Sequence, residues 1–224
     1  MSEISFVEVE TAPNPSVAVI WLHGLGADGH DFEPIVPELA LPPSPAVRFV
    51  FPHAPHQPVT CNGGYVMRAW YDIVSLAPDS REIDEAGLLA SRDVVRALIA
   101  REVARGIPSN RIFLAGFSQG GAVAYLSALT HSEPLAGVIA LSTYIPAPHL
   151  ITDGLSAANS DIPLFVAHGS EDDVVSPVMG RQALELLQSL GLKPEWRTYT
   201  MPHAVCTQEI DDIGVWLQAR IAAL

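Results

Sequence analysis

Arg111-Ile112-Phe113-Leu114-Ala115-Gly116-Phe117-Ser118-Gln119-Gly120-Gly121 is the stretch that decides the reading of this chain. Its first five residues form a short apolar run with bulky strand formers, the pattern of a buried strand. Gly116 to Gly120 then spells G-x-S-x-G, and Ala122 to Leu129 is rich in helix formers and lacks Gly and Pro. A strand, a sharp turn and a helix in that order are the context of a nucleophile elbow. The glycines fit because strand and helix backbones crowd so tight a turn that a side chain has no room. Ser118 then projects above the sheet edge, with a helix N-terminus behind it to favour developing negative charge. A glycine-rich turn with a capping serine is the competing reading; the flanking strand and helix weigh against it.

The nearest upstream strand supports the same site. Val17 to Leu22, VAVIWL, is a continuous apolar run and predicts a strand buried on both faces. It ends in His23-Gly24-Leu25-Gly26-Ala27-Asp28-Gly29, a loop whose glycines let backbone N–H groups point into a site. An oxyanion hole takes one donor from such a loop and one from the residue after the nucleophile, here the N–H groups of Leu25 and Gln119. Gly24, Gly26 and Gly29 also read G-x-G-x-x-G. The next strand, Val47 to Phe51, runs into Pro52-His53 rather than an acidic residue, which argues against a dinucleotide site. His23 is expected to brace the loop through its ring. His53 and His56 sit in a proline loop, PHAPHQP, with no helix to bring them to one face, so no metal site is expected.

A serine hydroxyl needs an adjacent base. In an α/β-hydrolase the acid and then the histidine follow the serine, on loops at strand ends. Of the later histidines, His131 ends the elbow's own helix, His149 lies in a proline loop that spacing does not exclude, and His168 precedes every candidate acid. His203, in Met201-Pro202-His203-Ala204 between the last strand and the last helix, stands where the base belongs. The acid is expected after the strand at Pro163 to His168, where Glu171, Asp172 and Asp173 follow. Asp172 is the preferred acid, and spacing alone does not separate it from Asp173. Asp172 then fixes the tautomer of His203, which takes the proton of Ser118 and returns it to the leaving group. That chemistry needs no metal and no organic cofactor.

The remaining chain reads as alternating strands and helices. Ile4 to Glu10 alternates as an edge strand, Asp31 to Ala40 is a poor helix broken by Pro34 and Pro37, and Glu82 to Arg105 is a long helix stopped by Gly106. Gln57 to Ala77 reads as a long irregular segment whose Met67 and Trp70 are candidates to wall a substrate pocket. Strands are expected at Leu135 to Leu141, Pro163 to His168 and Glu195 to Thr200, with helices at Ser176 to Leu190 and Val205 to Leu224. No repeat or linker divides the 224 residues, so one α/β domain with a mainly parallel sheet is expected over 1–224.

A net charge of −13 argues against nucleic acid and against docking on anionic lipid. Cys61 and Cys206 lie far apart without metal spacing and read as free thiols of a reducing compartment. The acidic start, MSEISFVEVE, is unlike a signal peptide. No apolar run reaches the roughly 18 residues of a membrane span, so a cytoplasmic location is expected.

WLHGLGADGHDF (21–32), GFSQGG (116–121) and HGSEDDVV (168–175) together resemble bacterial carboxylesterases of the phospholipase/carboxylesterase family, relatives of acyl-protein thioesterases and lysophospholipases. MRAWYD (67–72) and the histidine of MPHAVC (201–206) fit the same pattern. The resemblance implies an α/β-hydrolase fold without a large lid domain, acting on carboxylic esters or acyl thioesters. Its HG-x-x-D motif assigns the acid to Asp172 and the base to His203, and it supports Leu25 and Gln119 as oxyanion donors. Members often form dimers, which leaves a homodimer open here. The leading expectation is a serine carboxylesterase for short to medium acyl esters. Its alternative is a lysophospholipase or acyl-protein thioesterase acting on longer chains. A peptidase and a catalytically silent ligand-binding fold are remoter readings.

Overall fold

Eleven strands and five α-helices make up the computed structural model, which describes residues 4–224. The first residues of the acidic start, Met1 to Glu3, lie outside the described residues. In chain order the elements are β1 (Phe6–Glu10), β2 (Val17–Leu22), β3 (Val47–Pro52), β4 (His56–Val59), β5 (Tyr65–Arg68), β6 (Ile73–Ala77), β7 (Ser80–Ile83) and α1 (Glu85–Ala104). They continue with β8 (Ile112–Phe117), α2 (Gln119–Leu129), β9 (Gly137–Leu141), α3 (Pro148–Thr152), β10 (Leu164–Gly169), α4 (Pro177–Ser189), β11 (Glu195–Tyr199) and α5 (Thr207–Ala222).

Seven strands form one sheet in the order β1-β3-β2-β8-β9-β10-β11. Every neighbouring pair is parallel except β1 with β3. All six residues of β2 and all five of β9 are buried, because helices cover both faces of the sheet. Burial of each such side chain contributes about 1.5–3 kcal/mol, and it leaves no polar position in these strands. Two apolar clusters divide along the pleat: Ala18, Ile20 and Leu22 face one side with α1 and α2, while Val17, Val19 and Trp21 face the other with α5. Along the sheet the chain runs outward from β2 to β3, then returns to place β8 on the other side of β2. That reversal opens a crevice at the carboxyl ends of β2 and β8, the usual place for a ligand in such sheets.

One buried group of charged residues in this frame is paired. Arg48 of β3 is buried and donates to Glu10 at 2.9 Å and to Glu102 of α1 at 2.7 Å. Glu8 receives Arg105 at 2.6 Å beside them. The network ties edge strand β1 to the end of α1. Its value lies in fixing that register, since ion-pair attraction at a buried site is largely offset by desolvation.

Several local expectations are revised. Asp31 to Ala40 forms two single 3₁₀ turns, Glu33–Ile35 and Pro37–Leu39, instead of a helix. Gln57 to Ala77 is more regular than its sequence suggests: β4 and β5 pair as one hairpin, and β6 with β7 as another. The second hairpin takes Glu82 and Ile83 from the start of the expected long helix. That helix begins at Glu85, where Asp84 caps it by accepting from the Ala86 N–H.

Candidate active site

The turn from β8 into α2 carries Ser118 with φ of +53° and ψ of −120°, a conformation that a non-glycine residue adopts only when its surroundings impose it. The imposing contacts are glycine contacts. A Cβ on Gly116 would collide with the Gly120 carbonyl, and one on Gly120 would collide with the Leu22 carbonyl oxygen at the end of β2. The helix therefore starts against the strands with no side chain between them. Ser118 O accepts from the Thr143 hydroxyl at 2.6 Å, and its N–H donates to the Leu141 carbonyl at 2.9 Å.

Leu25 sits on the loop after β2, beside the elbow. Among the described residues, neither its N–H nor that of Gln119 donates to another protein group, while the next N–H, of Gly26, donates to the Arg68 carbonyl at 2.8 Å. His23 is buried beneath: its Nδ1 donates to the Gly24 carbonyl at 2.7 Å, and its Nε2 accepts the Ala54 N–H at 3.0 Å. Burial holds its pKa down at about 4, so the ring stays neutral and the tautomer is set by these partners.

His203 follows β11. Its Nδ1 lies 2.7 Å from Asp172 Oδ2. A carboxylate only accepts, so Nδ1 carries the hydrogen and Nε2 is left to accept one. Phe117 packs beside the imidazole with ring centroids 4.7 Å apart. Asp172 is buried, and its Oδ1 accepts the N–H groups of Val174 at 2.9 Å and Val175 at 2.8 Å. Asp173, which spacing could not separate from it, lies at the rim of the adjoining cavity. His149 is exposed and faces Glu85 at 3.2 Å, away from Ser118.

Ser118, Gln119, Leu25 and His203 line one cavity of about 620 Å³. Its remaining walls combine apolar Ile73, Leu76, Ala77, Pro78, Val174 and Val175 with polar Asp31, Asn62, Arg81 and Asp173. The β6–β7 hairpin supplies much of that wall. Arg81 ties it down by donating to the Ala77 carbonyl at 2.6 Å and to the Val174 carbonyl. Asp79 at its turn accepts the Ser176 hydroxyl at 2.9 Å. The sequence reading passed over this hairpin, although Pro78-Asp79 between two short extended runs was the available turn signal.

Met67 and Trp70 do not line the cavity, which corrects the pocket assignment. Trp70 is buried under the loop after β2: its Nε1 donates to the His23 carbonyl at 2.9 Å, and its N–H donates to Gln119 Oε1 at 2.7 Å. Met67 of β5 lies beneath Gly26. Both support the loop from behind: between them, the Arg68 carbonyl accepts from the Gly26 N–H of that loop, and Ala69 is held by Pro55 and Gln57. The Gln119 amide completes the tie by donating to the Tyr71 carbonyl at 2.8 Å. The side chain after the serine thus joins the elbow to the loop's support.

Glu209 stands in the first turn of α5, behind the loop that carries His203, and it is fully buried. Burial raises its carboxyl from an ordinary 4.5 to about 8, with the Cys206 N–H opposing part of the rise and Asp212 adding to it. The unfolded carboxyl ionises near 4.5 while the folded one keeps its proton to about 8, so stability falls as pH rises between those values. Glu209→Gln is expected to match the wild type in urea midpoint at pH 4–5. At pH 9 it should exceed it, by on the order of a few kcal/mol in unfolding free energy. Parallel midpoints at both pH values would contradict the burial account.

Both cysteines are free, and no helix among the described residues is long and apolar enough to cross a membrane.

Residues 3–221 match the Phospholipase/Carboxylesterase family. Acyl-protein thioesterase 1 of Cryptococcus neoformans var. neoformans serotype D is 41% identical, covering 98% of this chain and 96% of its own length. Acyl-protein thioesterase 1 of Mycosarcoma maydis is 40% identical over 93% of each. Among solved structures, Arabidopsis thaliana SOBER1 superposes with a TM-score of 0.86 at 33% identity, covering 92% of this chain and 99% of that one. Zea mays acyl-protein thioesterase 2 gives 0.85 at 26% identity, with coverage of 97% and 99%. With the α/β-hydrolase sheet, the elbow and these likenesses together, the chain belongs to the Phospholipase/Carboxylesterase family and is an ester or thioester hydrolase.

Proposed function

We propose that this chain is a serine hydrolase of the acyl-protein thioesterase type, which cleaves thioesters and esters of long acyl chains with Ser118, His203 and Asp172. The observation that carries the reading is the 620 Å³ cavity that opens on Ser118 and His203 together, with apolar walls from the β6–β7 hairpin and from Val174 and Val175. Such walls suit an acyl chain more than a polar or peptide substrate. The names of the fungal relatives favour the same alternative over the short-chain esters first expected. The enzyme acts in the cytoplasm as one α/β-hydrolase domain spanning 1–224.

In the proposed reaction the Ser118 hydroxyl gives its proton to His203 Nε2 as Oγ bonds to the acyl carbonyl carbon. The carbonyl oxygen becomes an oxyanion held by the N–H groups of Leu25 and Gln119. Asp172 accepts from Nδ1 and stabilises the imidazolium without taking its proton. The bond from carbon to sulfur or oxygen then breaks, and His203 protonates the leaving thiolate or alkoxide. Water, deprotonated by the same His203, releases the fatty acid and restores Ser118.

Rates on a series of acyl thioesters and p-nitrophenyl esters from C2 to C16 test the substrate class. The expected result is a kcat/KM that rises with chain length to an optimum at C12 or beyond, since each buried CH₂ adds about 0.8 kcal/mol until the cavity is filled. An optimum at C4–C6 would return the protein to the short-ester reading.

A further inference from the structure

The motif that places Asp172 also contains a histidine to which the proposed reaction assigns no task. His168, near the end of β10, is buried. Its Nε2 lies 2.9 Å from the Val175 carbonyl oxygen and 3.5 Å from Asp172 Oδ2. Both partners are acceptors, so Nε2 carries the hydrogen. In the neutral ring this leaves Nδ1 unprotonated, and among the described residues it has no hydrogen-bond partner. Burial holds the ring below the ordinary histidine pKa, which keeps it neutral. The titratable groups that bear on it are Asp172 and His203. From β11 it meets the Trp196 ring at a centroid distance of 6.2 Å, and from α4 it meets Gly180, where a Cβ would collide with Nδ1.

Gly180 leaves room for the ring in this place. The placement of Nε2 says more. Asp172 Oδ1 is already held by two backbone N–H groups, while Oδ2 is the oxygen facing His203. The His168 N–H lies 3.5 Å from that same oxygen, and it closes the loop by donating to the carbonyl of Val175, whose own N–H holds Oδ1.

We propose that His168 is a positioning residue for the acid: its Nε2–H holds the Val175 carbonyl, 3.5 Å from Asp172 Oδ2, and so fixes the turn whose N–H groups aim the Asp172 carboxylate at His203. The inference rests on the reading of Ser118, His203 and Asp172 as the reacting set. Loss of this donor leaves Oδ2 with more of its charge for His203 alone. The imidazolium then holds its proton more tightly, while the turn that aims the carboxylate loses its tie to β10.

The experiment measures kcat and KM against pH on an ester that the wild type turns over, for His168→Phe, His168→Gln, Gly180→Ala and Asp172→Asn. In His168→Phe, kcat is expected to fall about tenfold with KM little changed, the upper scale of one buried hydrogen bond. The acid limb of kcat/KM should move upward by about half a pH unit. His168→Gln, which can present an N–H near the Nε2 position, should recover most of both. Gly180→Ala displaces the ring without removing it and should move the limb in the same direction; it decides the matter if His168→Phe does not fold. An unmoved pH profile with unchanged kcat in His168→Phe overturns the role. Equal impairment of the Phe and Gln variants with an unmoved limb also overturns it, because packing alone then accounts for the residue. Asp172→Asn separates the two levels. Wild-type rates there would remove the reacting set itself, whereas loss of activity there beside an unaltered His168→Phe removes only the role of His168.

Discussion

Ser118→Ala is expected to lower kcat on any acyl thioester or ester by on the order of 10⁶-fold, the scale seen when a triad serine is removed from an otherwise intact site. The residue sits at φ of +53° whether it is Ser or Ala, so the fold loses one hydroxyl and keeps its backbone. A fluorophosphonate probe should label the wild type stoichiometrically at Ser118 and leave the variant unlabelled. The thermal midpoints of the two proteins should stay within a few degrees of each other. Retained turnover above about a hundredth of the wild-type rate would place the nucleophile elsewhere, since what survives without the serine comes only from binding and oxyanion stabilisation, on the order of 10³–10⁴ over water.

Gly120→Ala is expected to damage stability and activity together. The added methyl would meet the Leu22 carbonyl and lie 2.6 Å from the His23 carbonyl oxygen, both backbone atoms of the central strand and its loop. Neither can turn aside as a flexible side chain could, so α2 must lift from β2. Overpacking of this kind costs about 1–3 kcal/mol, and more where backbone meets backbone. For a chain of this size that corresponds to a fall in Tm of about 2–12 °C. The lifted helix also carries the Gln119 N–H away from the site, and so kcat should drop in the fraction that remains folded. A variant with the wild-type Tm and rate would mean that helix and strand are not in contact at Gly120. Gly63→Ala is the control for the effect of a glycine replacement as such: its Cβ meets nothing within 4 Å, and only its positive φ of +66° opposes the change.

Much of the fold was legible because its signals are local. VAVIWL and the run before the elbow read as buried strands since β2 and β8 are covered on both faces and carry apolar residues without interruption. Glycine spacing marked the elbow because a turn of that tightness admits no Cβ, whatever the rest of the protein does. The hairpins β4–β5 and β6–β7 were not legible in the same way. Their strands are short and largely exposed, and what holds β6–β7 in place is Arg81 and Asp79 reaching residues nearly a hundred positions away. Met67 and Trp70 were misread for a related reason. Large apolar side chains near a site can face its opening or brace its back, and composition does not distinguish the two.

By itself the sequence determined the parallel α/β architecture and marked the tight turn that carries Ser118. Each depends on runs and spacings within a few residues, where backbone sterics and two-faced burial act directly. Only the tertiary structure shows that Asp172, and not Asp173, meets His203. These neighbours share composition and spacing, and they differ in which carboxylate the Val174 and Val175 N–H groups turn inward to meet His203 from β11. The same holds for the cavity, whose walls come from β6, the elbow and the acid loop and exist only once β2 and β8 stand side by side.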